Sequence, residues 1–109
     1  MSKSVHALKD IEFKEKIAES KGLALIDFWA EWCGPCRVVG PIIDAVAEAH
    51  PDTVRVYKMN VDENPKTPAQ FNIRGIPTVI IFKDGKVVDQ IVGSQPREVF
   101  EQAIRTHLA

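Results

Sequence analysis

Apolar residues fill Leu23–Ala30 on both faces, and only Asp27 interrupts the run. This is the pattern of a central strand covered from both sides. Upstream, Val5–Leu8 predicts a short edge strand, and Phe13 and Ile17, four apart, predict a helix over residues 10–20 with Asp10 as its N-cap. Lys21-Gly22 stops that helix. Downstream, Cys36–His50 is the longest helical stretch and turns Val39, Ile42, Ile43, Val46 and Ala47 inward. Pro41 inside it removes a backbone bond and predicts a kink, and His50-Pro51 ends it. Val54–Val61 reads as a second strand with Val54, Val56 and Lys58 on one face. Asn64-Pro65 opens a short helix in N-cap and N1 order, which Pro68 weakens. Thr78–Phe82 and Lys86–Val92 are strands joined by Lys83-Asp84-Gly85, an Asp-Gly hairpin turn. Ser94-Gln95-Pro96 starts a last helix whose apolar positions are Val99, Phe100, Ala103, Ile104 and Leu108. The order βαβαβαββα predicts an α/β fold: a parallel βαβ unit, then a hairpin, with helices for both faces of one sheet.

The chain has 109 residues, the length of one domain spanning positions 1–109, and no repeat or linker divides it. Apolar residues at 45% and charged residues at 27% suit a folded globular protein rather than a disordered one. A net charge of −1 supplies no electrostatic case for nucleic acid or an anionic membrane. Met1-Ser2-Lys3-Ser4-Val5-His6 lacks the apolar stretch of a signal peptide, and no run is long enough to span a bilayer. The expected compartment is the cytosol, where a CxxC pair is catalytic or metal-binding more often than structural.

Trp32-Cys33-Gly34-Pro35-Cys36 holds both cysteines of the chain, between the central strand and the long helix. Three residues rotate a helix by about 300°, so two thiols at this spacing share a face and lie close enough to bond. At a helix start, outward N–H groups and the dipole favour an anion, which makes Cys33 the expected nucleophile. Cys36, one turn deeper and expected to be the better buried, is the resolving thiol that attacks the mixed disulfide formed by Cys33. Gly34 lets a partner chain approach, and Pro35 stiffens the loop without wasting a donor. A structural disulfide is the weaker alternative, since closing a four-residue loop gives only about 2 kcal/mol in the loop-entropy model. Zinc takes four ligands, and His6, His50 and His107 are scattered, so no metal site is expected.

Asp27 stands six residues before Cys33 and is expected beneath the base of the active helix. Burial costs a carboxylate several kcal/mol unless it is paired or protonated, and raises its pKa. Such a group is placed to take the proton of Cys36, directly or through water; the alternative is a structural Asp bonded to local backbone. Lys58 approaches and tunes Asp27 if the two strands are neighbours, or else packs its stem and sends its ammonium to water. Trp32 is expected on an exposed contact surface and Trp29 in the core. Arg74-Gly75-Ile76-Pro77-Thr78 precedes a strand, where a proline belongs at the strand start or an edge. The residues alone leave the isomer of the Ile76–Pro77 bond open, and Gly93 reads as a turn ending the next strand.

Together these segments resemble the thioredoxin family over nearly the whole chain. The residues that carry the likeness are Asp27 to Cys36, Pro41, Lys58, Asp62, Asn64-Pro65, Arg74-Gly75-Ile76-Pro77-Thr78, Phe82, Gly85 and Gly93. The resemblance implies the thioredoxin fold, a five-stranded mixed sheet flanked by four helices, with a cis Pro77 beside the cysteine pair. It implies a rim of Trp32, Gly75, Ile76, Pro77 and Gly93 that receives an extended substrate backbone. It also implies a monomeric protein-disulfide reductase that binds no cofactor and draws electrons from thioredoxin reductase, a flavoprotein using NADPH. Arg37, where many relatives have Lys, keeps the positive charge; Ser94 replaces a frequent alanine and is a candidate cap for the last helix.

Two other functions fit the same residues less well. A thiol oxidase or isomerase usually carries His between the cysteines, where this chain has Gly34-Pro35. A non-catalytic docking module would use the surface around Trp32 and Ile76, but would leave two intact cysteines without a purpose.

Overall fold

The computed structural model describes residues 2–108, so Met1 and Ala109, the two ends of the expected domain, lie outside the described residues. Five strands form one sheet: β1 (Val5–Ala7), β2 (Leu23–Trp29), β3 (Val54–Asn60), β4 (Thr78–Lys83) and β5 (Lys86–Val92), in the spatial order β1-β3-β2-β4-β5. β1 and β2 both run parallel to β3, while β4 runs antiparallel to β2 and β5 antiparallel to β4. The mixed sheet is thus the one expected, and β2 lies at its centre because its near-continuous apolar run tolerates cover on both faces.

Alternation along the strands sorts the core into two layers. On one face Leu25, Val56, Val79 and Ile81 pack under Val39, Ile43 and Val46 of α1 (Gly34–Ala49) and Phe100 and Ile104 of α3 (Arg97–Leu108). On the other, Ile26, Phe28, Ile80 and Phe82 meet Phe13, Ile17 and Phe71. The rings of Phe13, Phe71 and Phe82 form a triangle with centroids 5.4–5.8 Å apart. α1 continues through Pro41 from Gly34 to Ala49, and Ile42, at the margin of its inner stripe, is half-buried. Val99 and Leu108 of α3 stay exposed, because Phe100, Ala103 and Ile104 are the stripe that meets the sheet.

Helix starts depart from the sequence expectation in three places. The segment after β1 is a 3-10 turn over Asp10–Glu12 followed by a π-helical turn over Lys14–Ala18, not a regular α-helix. Asp10 does not cap it; the Lys9 N–H is met instead by the Glu12 carboxylate at 2.9 Å. Asp10 caps α2 (Lys66–Gln70), accepting from the N–H groups of Lys66 (3.0 Å) and Thr67 (2.9 Å) and from the Thr67 hydroxyl (2.7 Å). Asn64 is consequently not the cap. Its side-chain oxygen accepts from the Asp10 N–H at 2.9 Å, and Pro65 occupies the cap position. Ser94 forms no capping bond among the described residues, since α3 starts three positions later at Arg97.

The hairpin between β4 and β5 turns on Asp84 and Gly85, with φ of 51° and 83°. Two successive positive φ values make the turn whose twist matches the strands. Its Asp84 carboxylate accepts from the Gly22 N–H at 2.7 Å, while the Gly22 carbonyl accepts from the Asp84 N–H at 3.0 Å. Among the described residues no helix is long and apolar enough to cross a membrane.

Candidate active site

β2 ends at Trp29, and a tight passage through Ala30, Glu31 and Trp32 brings Cys33 to the N-cap of α1. The Cys33 N–H donates to the Ala30 carbonyl at 3.2 Å, and the Cys33 sulfur accepts from the Cys36 N–H at 3.2 Å. A cysteine sulfur therefore serves as the cap of a 16-residue helix, in the place where Ser or Asp normally satisfies a free donor. Negative charge on that sulfur is favoured by the donor and by the helix dipole alike. Pro35 falls in the first turn, where its missing N–H leaves no helical bond unmade.

Cys33 and Cys36 are joined as a disulfide with their α-carbons 5.3 Å apart. The expected contrast in burial is absent: Cys33 is 3% exposed and Cys36 6% exposed. Both pack with Ala30 against Trp29, Val61 and Ile76, so the sulfur bridge itself is covered while Gly34 and Pro35 face solvent. What distinguishes the two cysteines is their surroundings. Cys36 lines a cleft of about 280 Å³, open to solvent, together with Asp27, Trp29, Arg37, Asp44 and Lys58.

Asp27 is 4% exposed, and its Oδ1 has no hydrogen-bond partner. Burial pushes its carboxyl up to about 7; the Lys58 charge opposes this rise and Asp44 adds to it. A buried, unpaired carboxylate titrating near neutrality in the same cleft as a thiol can exchange a proton with it, directly or through water. Lys58 is its registered neighbour on β3, as the sequence anticipated for adjacent strands. The Lys58 ammonium nevertheless sits 4.2 Å from the centre of the Trp29 ring, and no ion pair joins it to Asp27 among the described residues.

The rim residues come from three segments, at Trp32, at Gly75–Pro77 and at Gly93. Trp32 is 69% exposed, its indole N–H donating to the Asp62 carboxylate at 2.9 Å. With Ile73, Arg74, Gly75 and Ile76 it lines a shallow groove of about 200 Å³. The Ile76–Pro77 bond is cis, and the Pro77 carbonyl accepts from the Gly93 N–H at 2.9 Å. Gly93, at φ 88°, lets the chain leave β5 in a conformation that strains other residues. Pro77 is buried and Gly93 half-buried, and neither lines the groove itself. The sequence reading missed Asp44 as a member of the cleft and Asp62 as the partner of Trp32. Asp44 carries no local signal, and Asp62 stands out only as part of the family likeness, since both are solvent-type residues until the fold brings them to the site.

Among the described residues, no three His, Cys, Asp or Glu side chains gather to hold a metal ion. Two cysteines bridged at a helix N-cap, a carboxylate behind them and an apolar groove before them suit exchange between thiols and disulfides.

Known proteins are similar to this chain in sequence. The thioredoxin family model matches residues 4–106. Thioredoxin 1 of Synechococcus elongatus is 47% identical over 94% of this chain and 95% of its own length. The thioredoxin of Alicyclobacillus acidocaldarius is 52% identical over 86% and 89%, and that of Porphyra purpurea 41% identical over 97% and 99%. With the family model matched over nearly the whole chain and these relatives covering it at 41–52% identity, the chain belongs to the thioredoxin family of thiol-disulfide oxidoreductases.

Proposed function

We propose that the chain reduces protein disulfides with Cys33 as nucleophile, Cys36 as resolving thiol and Asp27 as the group that takes the Cys36 proton. The Cys33 thiolate attacks one sulfur of a target disulfide, forming a mixed disulfide and expelling the other target sulfur as a thiolate. Cys36 then gives its proton to Asp27 through the cleft and attacks the Cys33 sulfur. That step closes the Cys33–Cys36 disulfide and releases the second target thiolate, so two electrons pass to the target. The observation that carries this reading is the asymmetry of surroundings: Cys33 caps the helix, and Cys36 shares its cleft with Asp27.

The groove along Trp32, Gly75 and Ile76, together with the adjoining Pro77 and with Gly93 bonded to it, is the proposed seat of an extended target segment. Gly34 and Pro35, both exposed, let that segment come close. Lys58 tunes Asp27 through its charge. The electrons reside in the two thiols, so no bound cofactor is needed; thioredoxin reductase, an NADPH-using flavoprotein, is the proposed donor. The proposed setting is a single-domain monomer of the cytosol, acting on disulfide-containing proteins in electron transport and redox homeostasis, with no role at nucleic acid or membranes.

Insulin reduction tests this directly. Protein reduced by dithiothreitol should cleave insulin's interchain disulfides, and Cys36→Ser should accumulate a covalent adduct through Cys33. Failure to cleave insulin, or an adduct trapped only through Cys36 in Cys33→Ser, would overturn the assignment.

A further inference from the structure

On the α1 face of the sheet, Lys58 has Ala7 of β1 on one side and two side chains of β2 that can attract its ammonium on the other. Asp27 lies beside it in register on β2, and Trp29, two residues further along the same strand and so on the same face, lies diagonally across from it. A buried carboxylate with an oxygen that lacks any donor should draw an ammonium to itself. The ammonium goes to the aromatic ring instead, 4.2 Å from its centre. An indole face attracts a cation through its quadrupole, and most strongly where water is scarce.

The consequence lies in the cleft. Were the ammonium on Asp27, the carboxylate would be held ionised by an adjacent opposite charge and would be a poor proton acceptor near neutral pH. We propose that Trp29 is a positioning residue whose indole face holds the Lys58 ammonium beside Asp27 rather than on it, which keeps Asp27 able to take the Cys36 proton. This deepens, and rests on, the proton-transfer role given to Asp27 above. The other charged groups around the cleft are Glu31 after β2 and Arg37 and Asp44 on α1, while Lys9 and Glu63 line the opposite side of Lys58. None of them forms an ion pair with Lys58 or Asp27 among the described residues.

The experiment is an NMR titration of the Asp27 carboxyl carbon in the intact protein. Trp29→Leu should lower its midpoint by about one unit, as the freed ammonium turns to the carboxylate. Trp29→Phe, which keeps a smaller aromatic face, should lower it by less. In a Lys58→Met background, Trp29→Leu should produce no such fall. An unchanged midpoint in Trp29→Leu, or an equal fall with and without Lys58, would overturn the proposal. The unaltered protein supplies a check that needs no folded variant: ring current should displace the Lys58 ε-protons upfield, and ordinary lysine shifts there would also overturn it. Insulin-reduction pH profiles recorded in parallel separate the two ideas. If the midpoint moves while the profile does not, Trp29 positions Lys58 but Asp27 does not carry the proton.

Discussion

Asp10 and Thr67 lie 57 positions apart, yet one carboxylate oxygen of Asp10 accepts from both the N–H and the hydroxyl of Thr67. The contact fastens the segment after β1 to the start of α2, whose C-terminal side leads into the groove residues Ile73 to Ile76. Desolvation raises the Asp10 carboxyl, but the bonds from Thr67 and Lys66 outweigh it and hold the group below its ordinary range. Asp10→Ala should cost about 1–2 kcal/mol in urea unfolding, the usual loss for a cap. Because the folded value is depressed, the contribution is present above the unfolded value of 3.8 and disappears as pH falls through the folded one. The stability gap between parent and variant should therefore close below about pH 4.

Of the glycines, Gly85 is the least able to accept a side chain. A β-carbon there would lie 2.1 Å from the Ala18 carbonyl oxygen, on a backbone already at φ 83°. The obstacle is main chain and cannot swing aside. Gly85→Ala should destabilise the protein by roughly 2–5 kcal/mol, summing left-handed strain and overpacking. Gly34→Ala, with nothing within 4 Å of the added carbon, should stay within about 0.5 kcal/mol of the parent. Paired thermal melts check the contrast.

Asp27 makes the protein less stable as pH rises. Its folded value is about 7 against 3.8 for the free group, so between those values the folded state binds the extra proton. Stability should fall from about pH 4 to pH 7 and level off above, by at most about 4 kcal/mol at 1.36 kcal/mol per unit. Asp27→Asn should abolish the slope and be the more stable protein at pH 8, while reducing insulin more slowly. Denaturation curves at several pH values, for both proteins, measure this.

Trp32 presents most of its indole to solvent and is tethered to Asp62. Trp32→Ala should lower kcat/KM for insulin about tenfold, the effect of removing one aromatic anchor worth roughly 1.4 kcal/mol. The unfolding free energy should change by less than about 1 kcal/mol, as suits an exposed side chain. Steady-state kinetics with insulin and with a small aromatic disulfide separate lost target binding from lost chemistry.

The strands were legible because β2 and β4 are near-continuous apolar runs and Asp84-Gly85 forces the turn between β4 and β5. Cys33 at the head of α1 and Asp27 behind it were legible for a related reason: each breaks a local pattern, one as half of a CxxC, the other as a charge in an apolar strand. The cap of α2 was not. Asp10 is a good local N-cap by type, and only tertiary folding reveals that Lys66 and Thr67 are its partners. The same holds for Trp29, whose partner Lys58 lies on the next strand at a distance no window of sequence reports. The burial of Cys33 was misjudged because helix position alone does not account for the cover that Val61 and Ile76 bring from other segments.

The central claim is that Cys33, as helix cap, is ionised and reactive while Cys36 waits behind it. The most direct measurement is alkylation of the fully reduced protein with iodoacetamide across pH 5–9, with the modified peptide located by mass spectrometry. Cys33 should be labelled first, and at neutral pH much faster than an ordinary free thiol, whose midpoint is about 8.5. Equal labelling of Cys33 and Cys36, or a Cys33 rate no greater than that of a free thiol, would contradict it.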